Sequence, residues 1–171
     1  MNKKMIYIGI VACALASLGA TNVLANDSRE YKGAGEEHRS KVAEVVKKME
    51  KTAGMDLKIR DEVKTVAQEE KNSSEVIKEK MDMVEKRSGF KTFLTGSDYK
   101  NLGDLRSELV TTQNRLDRLN KALDRATSTT IKADLEAQIK ELEAIKTKAD
   151  TFVKDNENKF SLFGWLVRMF R

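Results

Sequence analysis

The runs LRSELVTTQNRLDRLNKALDRA, residues 105–126, and IKADLEAQIKELEAIKTKADTFV, residues 131–153, decide the fold. In the first, Leu105, Leu109, Thr112, Leu116, Leu119, Leu123 and Ala126 recur at spacings of four and three. In the second, Ile131, Leu135, Gln138, Leu142, Ile145, Ala149 and Phe152 do the same, with Ile139 and Val153 widening the apolar face. Such spacing keeps one side of a helix apolar and makes a heptad seam. The two runs have similar length and are separated by the polar stretch Thr127–Thr130, so an antiparallel helical hairpin over 104–155 is the natural solution. Asp117 with Lys121 and Glu136 with Lys140 stand at i,i+4 spacing, where each pair adds a few tenths of a kcal/mol to a helix.

Upstream, Val42, Val46, Met49 and Ala53 form one stripe, which Ile59, Val63, Val66 and Glu70 continue less cleanly. Gly54 stands between them as a kink or a break. Asn72-Ser73-Ser74-Glu75 has the form of a capping box and predicts a helix start. Ile77, Met81 and Val84 follow as a stripe flanked by Val76 and Met83, and Ser88-Gly89 supplies a stop of the left-handed glycine kind. Residues 90–103 lack periodicity but hold Phe90, Phe93, Leu94, Tyr99 and Leu102, which predicts a packed connector with a short helix. No proline occurs in 171 residues, where ordinary usage would give about eight; long helices tolerate that absence best. The fold class is therefore all-α: a coiled-coil hairpin within a three- or four-helix bundle over 36–158. The seams can pack within one chain, the preferred reading, or serve a homodimer.

The N-terminus has the three parts of a bacterial secretory signal. Lys3 and Lys4 are followed by an uncharged run from Met5 to Ala20, then by small residues at Val23 and Ala25, so cleavage is expected after Ala25. Two rival readings are lipidation at Cys13, within Ile10-Val11-Ala12-Cys13, and an uncleaved anchor, since Met5–Ala25 is just long enough to span a bilayer. All three put the rest of the chain outside the cytoplasm, in the periplasm or beyond the cell, free or peripheral to the membrane. Removing 25 residues leaves 146, with a flexible leader over 26–35. It also removes the one cysteine, so packing alone must hold the fold. The signal takes two of 32 basic residues and none of 27 acidic ones, which leaves a mature charge of +3. That mild excess suits anionic lipid or an anionic wall polymer; outside the cytoplasm nucleic acid is not a natural partner.

The compositional anomaly is the last thirteen residues, KFSLFGWLVRMFR (159–171). They hold four of the nine aromatics that follow the signal, three bases and no acid. As a helix, Phe160, Phe163, Val167 and Phe170 share a face, with Leu162, Leu166 and Met169 beside it. Thirteen helical residues reach only about 20 Å, too short for about 30 Å of hydrocarbon. A short amphipathic helix can instead lie in the interface, with Phe160, Phe163, Trp165, Leu166, Val167 and Phe170 among acyl chains and Lys159, Arg168 and Arg171 on phosphates. The same residues could fill a groove of the bundle itself, or dock into a groove of another protein.

Catalytic chemistry has little to work with. His38 is the one histidine, set among Glu36, Glu37 and Arg39, and is expected to be exposed. Neither a nitrogen or sulphur metal site nor a Ser–His or Cys–His pair can be assembled after the leader. Gly33-Ala34-Gly35 follows no strand and is no phosphate loop. Carboxylate pairs such as Glu69–Glu70 read as wet helix faces. No cofactor is implied. The sequence points to an exported, non-enzymatic helical envelope protein: a spacer, adaptor or assembly factor at a membrane surface. The alternative is a periplasmic, chaperone-like binder of unfolded exported clients, with Met49, Met55, Met81 and Met83 as a soft surface.

Overall fold

A computed structural model of the chain describes residues 33–157 together with Lys159, Leu166 and Met169. Their regular structure is all helical: α1 (Ala34–Met55), α2 (Arg60–Lys86), α3 (Gly89–Thr95), α4 (Tyr99–Arg125) and α5 (Thr129–Glu157). The four long helices form a bundle in which α1 packs on α2 and α5, and α4 packs on α2 and α5.

Side-chain bonds give the directions. The amide of Ala34 reaches Glu85 on α2, and Lys48 and Thr52 on α1 meet Glu141 and Gln138 on α5. Arg118, Arg115 and Glu108 on α4 meet Glu62, Glu70 and Ser73 on α2, in reverse order along the chain. Each helix thus runs antiparallel to both neighbours, the up-down-up-down arrangement that short connections favour.

The heptad stripes face inward. Leu105, Leu109, Leu116 and Leu119 of α4 are buried, as are Ile131, Leu135, Leu142 and Ile145 of α5. Near the end of α4 the buried position moves from Leu123 to Ala122, and on α5 Val153 is buried while Phe152 packs only partly. A straight helix of 3.6 residues per turn drifts against a strict seven-residue repeat, so the burial slips by one residue. Of the two outer-face pairs, Glu136 and Lys140 meet at 2.7 Å. Asp117 instead accepts a hydrogen bond from Gln113, one turn before it.

Two apolar clusters fill the bundle. The larger joins all four long helices from Val42 to Ile145; the smaller holds Ile77, Met81, Val84, Leu102, Leu105, Leu109, Ala149 and Val153. Along α2 and α4 the break between them is polar: Ser73 and Ser74 face the interior, as does Thr112. This corrects the helix start expected at 72–75, because α2 runs unbroken through it. The Ser73 hydroxyl donates to Glu108 at 2.6 Å and that of Ser74 to the Lys71 carbonyl at 2.7 Å. Small polar side chains that find acceptors, on a neighbouring helix for Ser73 and one turn back for Ser74, thus stay inside a helix instead of capping one.

Gly54 ends α1, which stops one residue later. Arg60 covers the last turn by donating to the carbonyls of Ala53 and Gly54. At the other end, α1 already begins at Ala34, so the last two residues of the expected leader are helical. Gly35 is needed there: a Cβ would lie 2.6 Å from the Lys78 carbonyl oxygen. The stop after α2 also works differently than expected, since Gly89 is the first residue of α3 and Ser88 caps that helix. The left-handed backbone belongs to Gly96, with φ of 86°.

Candidate membrane-facing end

At one end of the bundle the α2–α4 connection and the C-terminus of α5 come together. Arg87, leaving α2, reaches across α3. Its guanidinium donates to the Thr95 hydroxyl at 2.8 Å and the Gly96 carbonyl at 3.0 Å, and stands 3.7 Å from Asp98. The Ser88 hydroxyl accepts the amide of Lys91 at 3.1 Å and so caps α3. Asp98 caps α4 through the amide of Asn101. Partial burial opposes ionisation of Asp98, yet the donors of Asn101 and the charge of Arg87 outweigh it and hold its carboxyl below the ordinary range. The Ser97 hydroxyl then donates to the carbonyl of Glu157 at 3.0 Å, and the Glu157 carboxylate pairs with Arg106. The last residue of α5 is therefore fastened beside the turn that follows α3.

This end is where expectation and structure differ most. α3 is the expected short helix, but none of its residues is buried. Phe90 is 73% exposed, Phe93 46% and, at the start of α4, Tyr99 64%. Of the connector's apolar residues Leu102 is fully buried and Leu94 half-buried, while the rings at 90, 93 and 99 stay exposed. Aromatic content alone could not reveal this, because burial depends on what the neighbouring helices leave uncovered.

The chain matches no family model, no curated protein and no solved structure.

Of the tail residues singled out from sequence, Lys159 is exposed, and Leu166 and Met169 are helical and 40% and 63% exposed. Phe160, Phe163, Trp165, Val167, Arg168, Phe170 and Arg171 lie outside the described residues, as does the expected cleavage site at Ala25. Among the described residues no helix is long and apolar enough to cross a membrane. Of the seam residues, Leu105, Leu109, Leu116, Leu119, Ile131, Leu135, Leu142 and Ile145 are buried within the one chain, and Leu123 and Phe152 are half-buried. The four methionines do not form one surface: Met49 and Met81 are buried, while Met55 and Met83 are exposed.

Two ionisable residues sit where sequence reasoning did not put them. His38 is buried at the start of α1, and desolvation pushes its pKa down to about 4. Its charged neighbours in sequence turn outward, with Arg39 on Glu36 and Lys41 on Glu37. The signal lay in register: His38 stands four residues before Val42 on the apolar stripe. Glu70 is buried as well; burial raises its carboxyl and Arg115, 3.3 Å away, opposes the rise. Arg115 also contacts Glu69, and Arg118 ties Glu69 to Glu62 at 2.6 and 2.7 Å. This ladder joins α2 to α4 and sets their register. Each acid in it faces a guanidinium that accepts no proton, which is the arrangement of a brace and not of an acid–base pair.

Proposed function

We propose that the chain is an exported, non-enzymatic helical protein of the cell envelope, held at an anionic membrane surface by Lys159–Arg171 and acting as a spacer, adaptor or assembly factor. The observation that supports this most is where the described apolar residues are buried. The buried apolar residues among those described all lie between Val42 and Val153, and both apolar tail residues described are exposed. A segment with four aromatics and no acid finds an apolar and anionic surround together at a lipid interface. The bundle then stands off the membrane as a rigid body.

Co-sedimentation with anionic liposomes tests the reading. The chain from Asn26 to Arg171 is expected to pellet with vesicles and a chain ending at Asn158 to remain largely in the supernatant. Equal pelleting by the two would overturn the role given to the tail. Recovery of the protein in the cytoplasmic fraction of cells would overturn export.

A further inference from the structure

We infer that the bundle opens along the seam between α1 and α5, that α2 and α4 stay together as the hinge, and that a proton on His38 releases the seam. Four contacts close the ring: α1 with α2, α2 with α4, α4 with α5, and α5 with α1. The chain itself ties the first three, through residues 56–59, 87–98 and 126–128, and no described segment links α5 back to α1. Parting that pair stretches no connection, so it is the natural site of a local opening short of unfolding.

Side chains leave space along this seam. Grooves of about 280, 200 and 510 Å³ follow it, lined in turn by His38 and Ala149, by Val45 and Ala144, and by Thr52 and Gln138. The ion pairs across it, Lys48 with Glu141 and Lys148 with Glu37, are exposed and contribute little. Its buried hydrogen bond, from Gln138 to Thr52 at 2.7 Å, leaves the Gln138 amide oxygen without a partner. The contact between α2 and α4 is tied more firmly. It holds the ladder of Arg115 and Arg118 on Glu62, Glu69 and Glu70, together with Lys80 on Asp104 and Ser73 on Glu108.

His38 makes the seam sensitive to pH. Its buried ring lines the first groove with Met81 of α2 and with Ile145, Ala149 and Phe152 of α5. The charged groups around it are Glu37 and Lys41 on α1, Lys148 and Asp155 on α5, and Lys78, Asp82 and Glu85 of α2 beside the first turn of α1. Among the described residues none from α4 lines the groove. None of these charges offsets the desolvation that pushes the ring's pKa down to about 4. An open seam returns the ring to water and to an ordinary value of about 6.5. The open form then takes a proton that the closed form refuses, so opening is favoured as the pH falls below that value. Between pH 7 and 5 its equilibrium constant rises about twentyfold.

Thiol labelling reads the opening. Cys13→Ala removes the one natural cysteine of the full chain. Ala149→Cys then places a reporter in the seam, and Val45→Cys a second one on the α1 side in case the first disturbs packing. Ala122→Cys reports the hinge, because this buried position lies four residues after Arg118 on the side of α4 that meets α2. Rates with 4,4′-dithiodipyridine are taken relative to the same variant unfolded in urea at the same pH. At pH 5 the seam thiol is expected to react at least about tenfold faster than the hinge thiol, with a shallower urea dependence, since local opening exposes less surface than unfolding. His38→Leu is expected to abolish the rise in seam labelling between pH 7 and 5. Equal rates and equal urea slopes at the two positions mean that only global unfolding exposes either, and overturn the seam. An undiminished rise in the His38→Leu background overturns the part given to His38.

Discussion

At the end of the bundle opposite α3, the α1–α2 turn and the α4–α5 link meet over Asp56. Its carboxylate accepts the amide and hydroxyl of Thr127, each at 2.8 Å, and the amide of Lys58 at 2.9 Å. Those bonds, led by the Thr127 amide, hold its carboxyl below the ordinary range. One side chain thus ties two connections and the large apolar cluster closes beneath them, with Ile59, Ala126 and Ile131 buried. At the α3 end the same economy is absent. A connection of a dozen residues is braced by Arg87, the cluster beneath is smaller, and the aromatic side chains face outward. The difference teaches that rigidity and burial are separate properties. The Asp56 end is ordered because its groups are inside; the α3 end is ordered by polar clamps, with Phe90 and Tyr99 largely exposed.

Removing a side chain from each end gives the widest contrast. Leu116→Ala empties a fully buried site of the large cluster and is expected to lower the unfolding free energy by about 3 kcal/mol in urea titrations. A loss below about 1 kcal/mol would mean the cluster is looser than its burial implies.

Next in size is a pH effect rooted at the α3 end. The folded pKa of His38, about 4, lies below its unfolded value of about 6.5, so both states are neutral above that value and no stability is lost there. As the pH falls the unfolded chain takes a proton that the folded chain refuses, and stability drops progressively toward pH 4. Relative to His38→Leu, the natural chain is expected to lose about 2 kcal/mol between pH 7 and 5. Parallel pH profiles for the two proteins would show that the ring is hydrated after all. Glu70 works in the opposite sense, since its raised carboxyl takes up a proton more readily in the fold.

The smallest effect is the most telling for that comparison. Phe90→Ala removes a large apolar side chain, yet it is expected to change stability by less than about 0.5 kcal/mol, because that ring is already in water. A thermal or urea shift as large as that of Leu116→Ala would mean that Phe90 packs, and the two ends would then be alike.

Much of the bundle could be read along the chain. Leu105 to Ala126 and Ile131 to Phe152 carry a local period, and a period is a property of one helix, whatever it packs against. The same holds for the break at Gly54. Other features were illegible for a shared reason. Ser73 and Ser74 have the composition of a cap, but Glu108, thirty-five residues on, gives Ser73 a partner inside the bundle. His38 looks exposed among charges and is buried because α1 turns that position inward. Of the candidate site, the tail's composition was plain in sequence, whereas the outward-facing α3 was not.

The sequence alone determined that the chain is helical and how its helices divide into apolar and polar sides, because both follow from spacing over a few residues. It also determined the charge and the aromatic excess of the last thirteen residues. Tertiary structure alone decided that four helices close one ring, that Gly35 must meet the Lys78 carbonyl without a side chain, and that Phe90 and Tyr99 remain uncovered. Burial is a relation between distant segments, and only their packing settles which apolar groups stay in contact with water.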